Sequence, residues 1–224
     1  MREPTAIRTT PVQLRAGAVL IDGDLTMPER ALGLVVFAHG SGSSRFSSRN
    51  RTVAQTLEDG GFATLLLDLL TRREEAIDLQ TREYRFDIDR LAQRVVAAID
   101  WSATQPALSA LPLACFGAST GAAAALIAAA ERPNAVRAVI SRGGRPDLAG
   151  DALPQVQAPT LLIVGGADDV VIDLNRQAMR RMRAPVSLEI VPGATHLFEE
   201  PGTLQAVSRL ALAWCHCHLR STRS

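Results

Sequence analysis

Apolar positions recur along this chain in two rhythms that alternate from about Leu32 onward. Short continuous apolar runs, such as LGLVVFA at Leu32–Ala38 and ATLLLDLL at Ala63–Leu70, suit strands buried on both faces. Further strands are predicted at Leu113–Phe116, Val136–Ser141, Thr160–Val164 and Val186–Val191. Between them lie stretches with helical spacing: Thr52–Asp59, Ile88–Trp101, Thr120–Glu131, Leu174–Met182 and Thr203–Cys215. In Ile88–Trp101 the residues Leu91, Val95, Ala98 and Ile99 fall on one face. Gly60-Gly61 closes the first helix as a C-cap pair would. Val12–Arg15 and Ala18–Asp22 read as an N-terminal hairpin. Two segments carry no clear period: the charged Thr71–Phe86, and Arg142–Pro159 with its glycines and prolines. Both are expected to be irregular.

Strands alternating with helices predict an α/β fold, a mostly parallel sheet of about seven or eight strands covered on both faces. Sites in such sheets lie at the carboxyl ends of the strands. The informative loops therefore begin at Ala38, Leu70, Phe116, Ser141, Val164 and Val191. The length of 224 residues fits one domain, 1–224.

One of these loops carries a chemical signal. Gly117-Ala118-Ser119-Thr120-Gly121 is a G-x-S-x-G sequence with a predicted strand before it and a helix after it. That context suits a nucleophile, because a serine on a tight strand-to-helix turn projects above the sheet and the flanking glycines let strand and helix approach. Glycines and alanines also pack such turns without any chemistry, so the serine needs partners. Of the four histidines, His216 and His218 lie at the end of the last helix and His39 precedes the serine. His196, in PGATHLF after a strand, is the candidate base. Asp168 and Asp169 in VGGADDVV lie between them, and either would orient the base. The order serine, aspartate, histidine is that of the α/β-hydrolases. For an oxyanion hole, Thr120 would supply one backbone N–H, and Ser41 or Gly42 in His39-Gly40-Ser41-Gly42 the second. His39 is then expected to bond its own loop.

Taken in order, HGSGSSR, GASTG, GGADDVV and GATHLF make nearly the whole chain resemble an α/β-hydrolase of the dienelactone hydrolase type. The resemblance implies a compact fold without a large cap domain. The family's G-x-x-D-x-x-V motif falls on Gly165, Asp168 and Val171, which selects Asp168 as the acid. Namesake members use a cysteine nucleophile, and this chain has Ser119 in that place. The implied activity is that of a serine hydrolase cleaving carboxylic esters, lactones or thioesters through Ser119, Asp168, His196 and an acyl-enzyme, with the Ser41 and Thr120 N–H groups as oxyanion donors. A non-catalytic hydrolase-like binding module is the alternative.

Composition removes several other classes. All 24 basic residues are arginine and the formal net charge is +1. Lysine Schiff-base chemistry and a phosphate-loop lysine are excluded, and nothing points to nucleic acid or an anionic membrane. Gly40–Arg45 resembles a dinucleotide-binding turn, but arginine stands where the third glycine belongs and no acidic residue ends a strand at the required spacing. Cys215-His216-Cys217-His218 has no second ligand pair and reads as a helix end with free thiols. Neither a metal nor a cofactor is expected. The N-terminal MREPTAIRTTP lacks a signal-peptide core and no apolar run is long enough to span a bilayer, so a cytoplasmic protein acting on a small-molecule ester is expected. Arg142 and Arg145, just after a strand, are candidate contacts for an anionic part of the substrate.

Overall fold

A computed structural model describes residues 7–219. An eight-stranded sheet runs through it in the order β1-β2-β4-β3-β5-β6-β7-β8. The antiparallel pair β1 (Arg8–Ala16) and β2 (Val19–Met27) occupies one edge, and β2 also pairs antiparallel with β4 (Ala63–Leu67). β3 (Leu34–Ala38), β4, β5 (Leu113–Ala118), β6 (Val136–Arg142), β7 (Thr160–Gly165) and β8 (Val186–Val191) are parallel to one another.

The continuous apolar runs are explained by burial on both faces. Val36, Leu65, Cys115 and Val139 face the helices α3 (Ile88–Thr104) and α4 (Thr120–Glu131), whereas Val35, Phe37, Phe116, Ile140 and Ile163 face α1 (Ser48–Asp59) and α6 (Thr203–His218). Alternate residues of one strand thus feed two separate cores. α4 is nearly all alanine and glycine in its first turns, and its short side chains let it lie close against the sheet.

The connections place the site. From β3 the chain passes through α1 to β4 on one side, whereas from β5 it passes through α4 to β6 on the other. β3 and β5 are adjacent, so their following loops diverge from a topological switch point, the place where open α/β sheets bind ligands. The loop after β3 begins at His39 and the turn after β5 is Ser119.

Several segments differ from the sequence expectations: β1 and β2 outrun the predicted Val12–Arg15 and Ala18–Asp22, and α1 begins at Ser48, ahead of the predicted Thr52. Arg72–Thr81 is a helix, α2, opened by a reciprocal capping box between Thr71 and Glu74. Its exposed face carries little apolar periodicity, which hid it. Part of Arg142–Pro159 is a 3-10 stretch, Pro146–Gln155, bent at Gly150 (φ +51°). α5 (Asp169–Arg181) begins five residues before the predicted start, because the exposed Val170 breaks the apolar stripe at its first turn.

Candidate active site

Ser119 sits on the strained turn that its sequence context requires. It has φ +52° and ψ −123°, a left-handed backbone conformation unusual for a residue with a Cβ. The surroundings hold it there: its N–H donates to the Arg142 carbonyl at 3.2 Å, and its carbonyl accepts from the Arg145 N–H at 3.1 Å. The two flanking glycines are required by close approach. A Cβ on Gly117 would lie 2.4 Å from the Ala122 Cα, and one on Gly121 would lie 2.3 Å from the Ala38 carbonyl oxygen.

His196 lies in the loop after β8, with Asp168 in the loop after β7. His196 Nδ1–H donates to Asp168 Oδ2 at 2.7 Å. This bond fixes the tautomer and leaves Nε2 as the basic nitrogen. The imidazole is packed beside the end of β6: a Cβ on Gly143 would meet His196 Cε1 at 3.7 Å. Gly143 follows the residue that holds Ser119 N–H, so base and serine share one rim of the sheet. The His196 loop is anchored below by the buried Phe198 and on its outer side by Glu200, which accepts from Thr195 N–H and Oγ1–H. Asp169 is exposed at the start of α5, and the carboxylate bonded to His196 is that of Asp168.

The third component is the loop after β3. His39 is buried, its Nδ1–H donates to the Gly40 carbonyl, and its Nε2 accepts from Leu69 N–H at 2.9 Å. Burial pulls this imidazole below its ordinary pKa, against the raising effects of its hydrogen bond to Gly40 and of Asp68, which keeps it neutral at pH 7. His39 therefore ties its loop to the end of β4. Ser43 N–H turns back onto the Gly40 carbonyl at 3.2 Å. The Ser41 and Thr120 hydroxyls lie 3.1 Å apart, which joins this loop to the first turn of α4. The loop also passes close to the serine turn, since a Cβ on Gly40 would lie 2.9 Å from the Ser119 Cβ.

The remaining loop residues were not all visible in the sequence. Arg45, at the third-glycine position of the apparent dinucleotide turn, donates to Asp68 through its backbone and its guanidinium. A narrow cavity lies on the outer side of the Gly40–Ser44 loop, bounded by Asp68, Leu70, Leu79, Arg85 and Leu91. Arg85 is held there by Asp78, whose carboxylate also accepts the Tyr84 and Arg85 N–H groups. Its NH1 would sit 3.4 Å from a Cβ on Gly42. Burial pushes the Asp78 carboxyl up, and these hydrogen bonds and the Arg85 charge outweigh it and hold it below the usual range. Arg145 is already committed, because Asp147 takes its guanidinium in two parallel bonds of 2.9 and 2.8 Å. Arg142 is buried and faces α1, where Asn50 Oδ1 accepts from it at 3.3 Å. The Cys215–His218 segment lies at the opposite end of the sheet, with His216 against Phe62 and His218 against Trp214.

A parallel sheet with its divergent loops at β3 and β5, and a serine on a strained turn between strand and helix, defines the α/β-hydrolase class. The chain belongs to the dienelactone hydrolase family, whose model matches residues 21–216. It is 55% identical to a dienelactone hydrolase from Anabaena variabilis, with a TM-score of 0.94 over 96% of this chain and 99% of that one. A dienelactone hydrolase-like promiscuous phosphotriesterase from metagenomic libraries is 22% identical and superposes with a TM-score of 0.76, over 96% of this chain and all of that one, a likeness of fold. Two Mycobacterium tuberculosis proteins, from strains CDC 1551 and H37Rv, carry a provisional phosphoribosyl transferase name and are 57% identical over 95% of this chain. The chain spans about half (47%) of the length of those two relatives. No helix among the described residues is long and apolar enough to cross a membrane.

Proposed function

We propose that this hydrolase cleaves carboxylic esters of small molecules by acyl transfer through Ser119. The observation that carries the reading is the 2.7 Å bond from His196 Nδ1 to Asp168 beside a serine held at φ +52°. In this scheme Ser119 Oγ attacks the ester carbonyl and His196 Nε2 takes its proton. Asp168 holds the ring in the productive tautomer and stabilises the imidazolium. The Thr120 and Ser41 N–H groups receive the tetrahedral oxyanion. Collapse expels the alcohol, which takes the proton from His196. Water then attacks the acyl-serine with His196 again acting as base, and the acid leaves. Each oxyanion donor contributes about 3 kcal/mol of transition-state stabilisation in such sites. No step uses a metal or cofactor.

The phosphoribosyl transferase name belongs to proteins about twice this length and is not carried to this chain. A non-catalytic module would have no use for a strained serine beside an oriented histidine, because strain of this kind costs of order 1–3 kcal/mol. The test is turnover of nitrophenyl esters of graded acyl length, with simple lactones and thioesters alongside. Ester hydrolysis that depends on Ser119 is expected. Absence of turnover across the panel would overturn the assignment.

A further inference from the structure

Several arginines drawn away from water in this fold are paired with carboxylates. Arg94 has Glu74, Arg85 has Asp78, Arg45 has Asp68 and Arg145 has Asp147. Arg142 breaks the pattern. It is 7% exposed and has no carboxylate partner among the described residues; its Nε, like those of Arg45 and Arg94, is buried without an acceptor, and it donates to a neutral amide, Asn50 Oδ1. The neighbouring charge repels it, since Arg49 in the first turn of α1 is also an arginine. Arg49 Nε is likewise buried without an acceptor, and its only carboxylate among the described residues is the exposed Glu199, 3.3 Å from NH1. A cation moved out of water without a counter-charge is strongly disfavoured. Burial and the Arg49 charge pull the Arg142 guanidinium down to about 10, which still leaves it charged at neutral pH.

The position of these two arginines is informative. The Arg142 carbonyl holds Ser119 N–H, and the next residue, Gly143, packs on His196. Arg49 and Asn50 open the helix that follows the proposed oxyanion loop. Arg49 also gives a route from solvent: its side chain is 33% exposed, and Glu199 across from it is 64% exposed and free to swing away. Two guanidiniums near enough to repel, each with a buried Nε that lacks an acceptor, suit a group with two or three negatively charged oxygens, which accepts from both forks at once.

We infer that Arg49 and Arg142 form an oxyanion-binding subsite beside Ser119, which receives a carboxylate or phosphate group carried by the ester substrate, with Glu199 as a displaceable stand-in. The substrate part of this inference rests on the ester-hydrolase reading, whereas anion binding itself does not.

The kinetic test compares a neutral ester, 4-nitrophenyl butyrate, with an anionic one of similar length, mono-4-nitrophenyl glutarate. The readout is the ratio of their kcat/KM values. Arg49→Gln, at a part-exposed position, is expected to lower the anionic-to-neutral ratio by about tenfold or more, through KM. Arg142→Gln should do the same where circular dichroism shows it folded, and Glu199→Gln should raise the ratio by freeing Arg49. Equal effects of Arg49→Gln on both esters would overturn the subsite. A second measurement is independent of turnover. Inorganic phosphate, at constant ionic strength, should raise the Tm of Ser119→Ala protein and not that of the Ser119→Ala/Arg49→Gln double variant. Failure of all ester turnover with this phosphate effect intact would sink the hydrolase reading and keep the anion site. Turnover without charge discrimination or a phosphate effect would do the reverse. Phosphate binding with no preference between the esters would assign the site to a free anion and overturn its role in substrate recognition.

Discussion

Asp168→Asn is expected to lower kcat by about four orders of magnitude while leaving the fold intact. The amide keeps the size of the carboxylate, but it presents an N–H₂ or a neutral oxygen to His196 Nδ1 in place of the charged Oδ2 now 2.7 Å away. The imidazolium that forms during attack loses its counter-charge, and the ring is free to take the tautomer with the proton on Nε2, which cannot accept from Ser119. The same substitution in a serine protease costs about 10⁴ in kcat. Asp169→Asn supplies the control, because that carboxylate lies exposed in the first turn of α5. Its loss touches only the helix N-terminus, and kcat should stay within about twofold, a helix-end charge contributing a few tenths of a kcal/mol. Both variants are measured on one reactive ester, with circular dichroism to confirm folding. A crippled Asp169→Asn beside an active Asp168→Asn would reverse the assignment.

Gly121→Ala should damage both stability and turnover. The added Cβ would stand 2.3 Å from the Ala38 carbonyl oxygen, 2.5 Å from that of His39 and 2.7 Å from the Ala38 carbonyl carbon. All three are backbone atoms of β3 and its loop, so no side chain can rotate out of the way. α4 must retreat from β3 or the His39–Gly42 loop must move. Overpacking of this kind costs about 3 kcal/mol. Either movement also separates Thr120 N–H from the Ser41 side of the proposed oxyanion hole, and an error of about 1 Å there lowers kcat by roughly two orders of magnitude. Gly193→Ala separates steric from backbone effects. It has φ +74° with nothing within 4 Å of a new Cβ, so it should cost only the left-handed strain of about 1–2 kcal/mol. Urea midpoints and kcat for the pair provide the comparison. Gly121→Ala with wild-type values would mean that helix and strand are not held as closely as this account requires.

The parts of this protein that were legible in the sequence are those where local pattern and burial coincide. β3, β5, β6 and β7 are sandwiched between two cores, so their apolar runs are unbroken and their carboxyl ends could be read from the chain. The Ser119 turn was legible because close backbone approach at Gly117 and Gly121 restricts the residue type. α2 was missed, although Thr71-x-x-Glu74 is a capping-box sequence, because a helix that buries little beyond Asp78 writes no apolar stripe. The α5 start was missed for a related reason at Val170. Other features have no local signature at all. Arg142 and Asn50 are 92 positions apart, and only the fold brings them together. Arg145 and Arg142 look equivalent in SRGGRPD, yet Asp147 satisfies one and no carboxylate among the described residues satisfies the other. That difference depends on which face of the sheet each side chain takes, and a loop sequence does not fix it.

The central claim is that Ser119 is an activated nucleophile, and a fluorophosphonate probe tests it most directly. The probe reacts with a serine whose proton is taken by a base and whose oxyanion is received by donors, and it passes over ordinary hydroxyls. Purified protein treated with the probe, digested and mapped by mass spectrometry should carry one adduct, on Ser119, with labelling abolished by heat unfolding. An adduct on another serine, or no adduct on folded protein, would contradict the account.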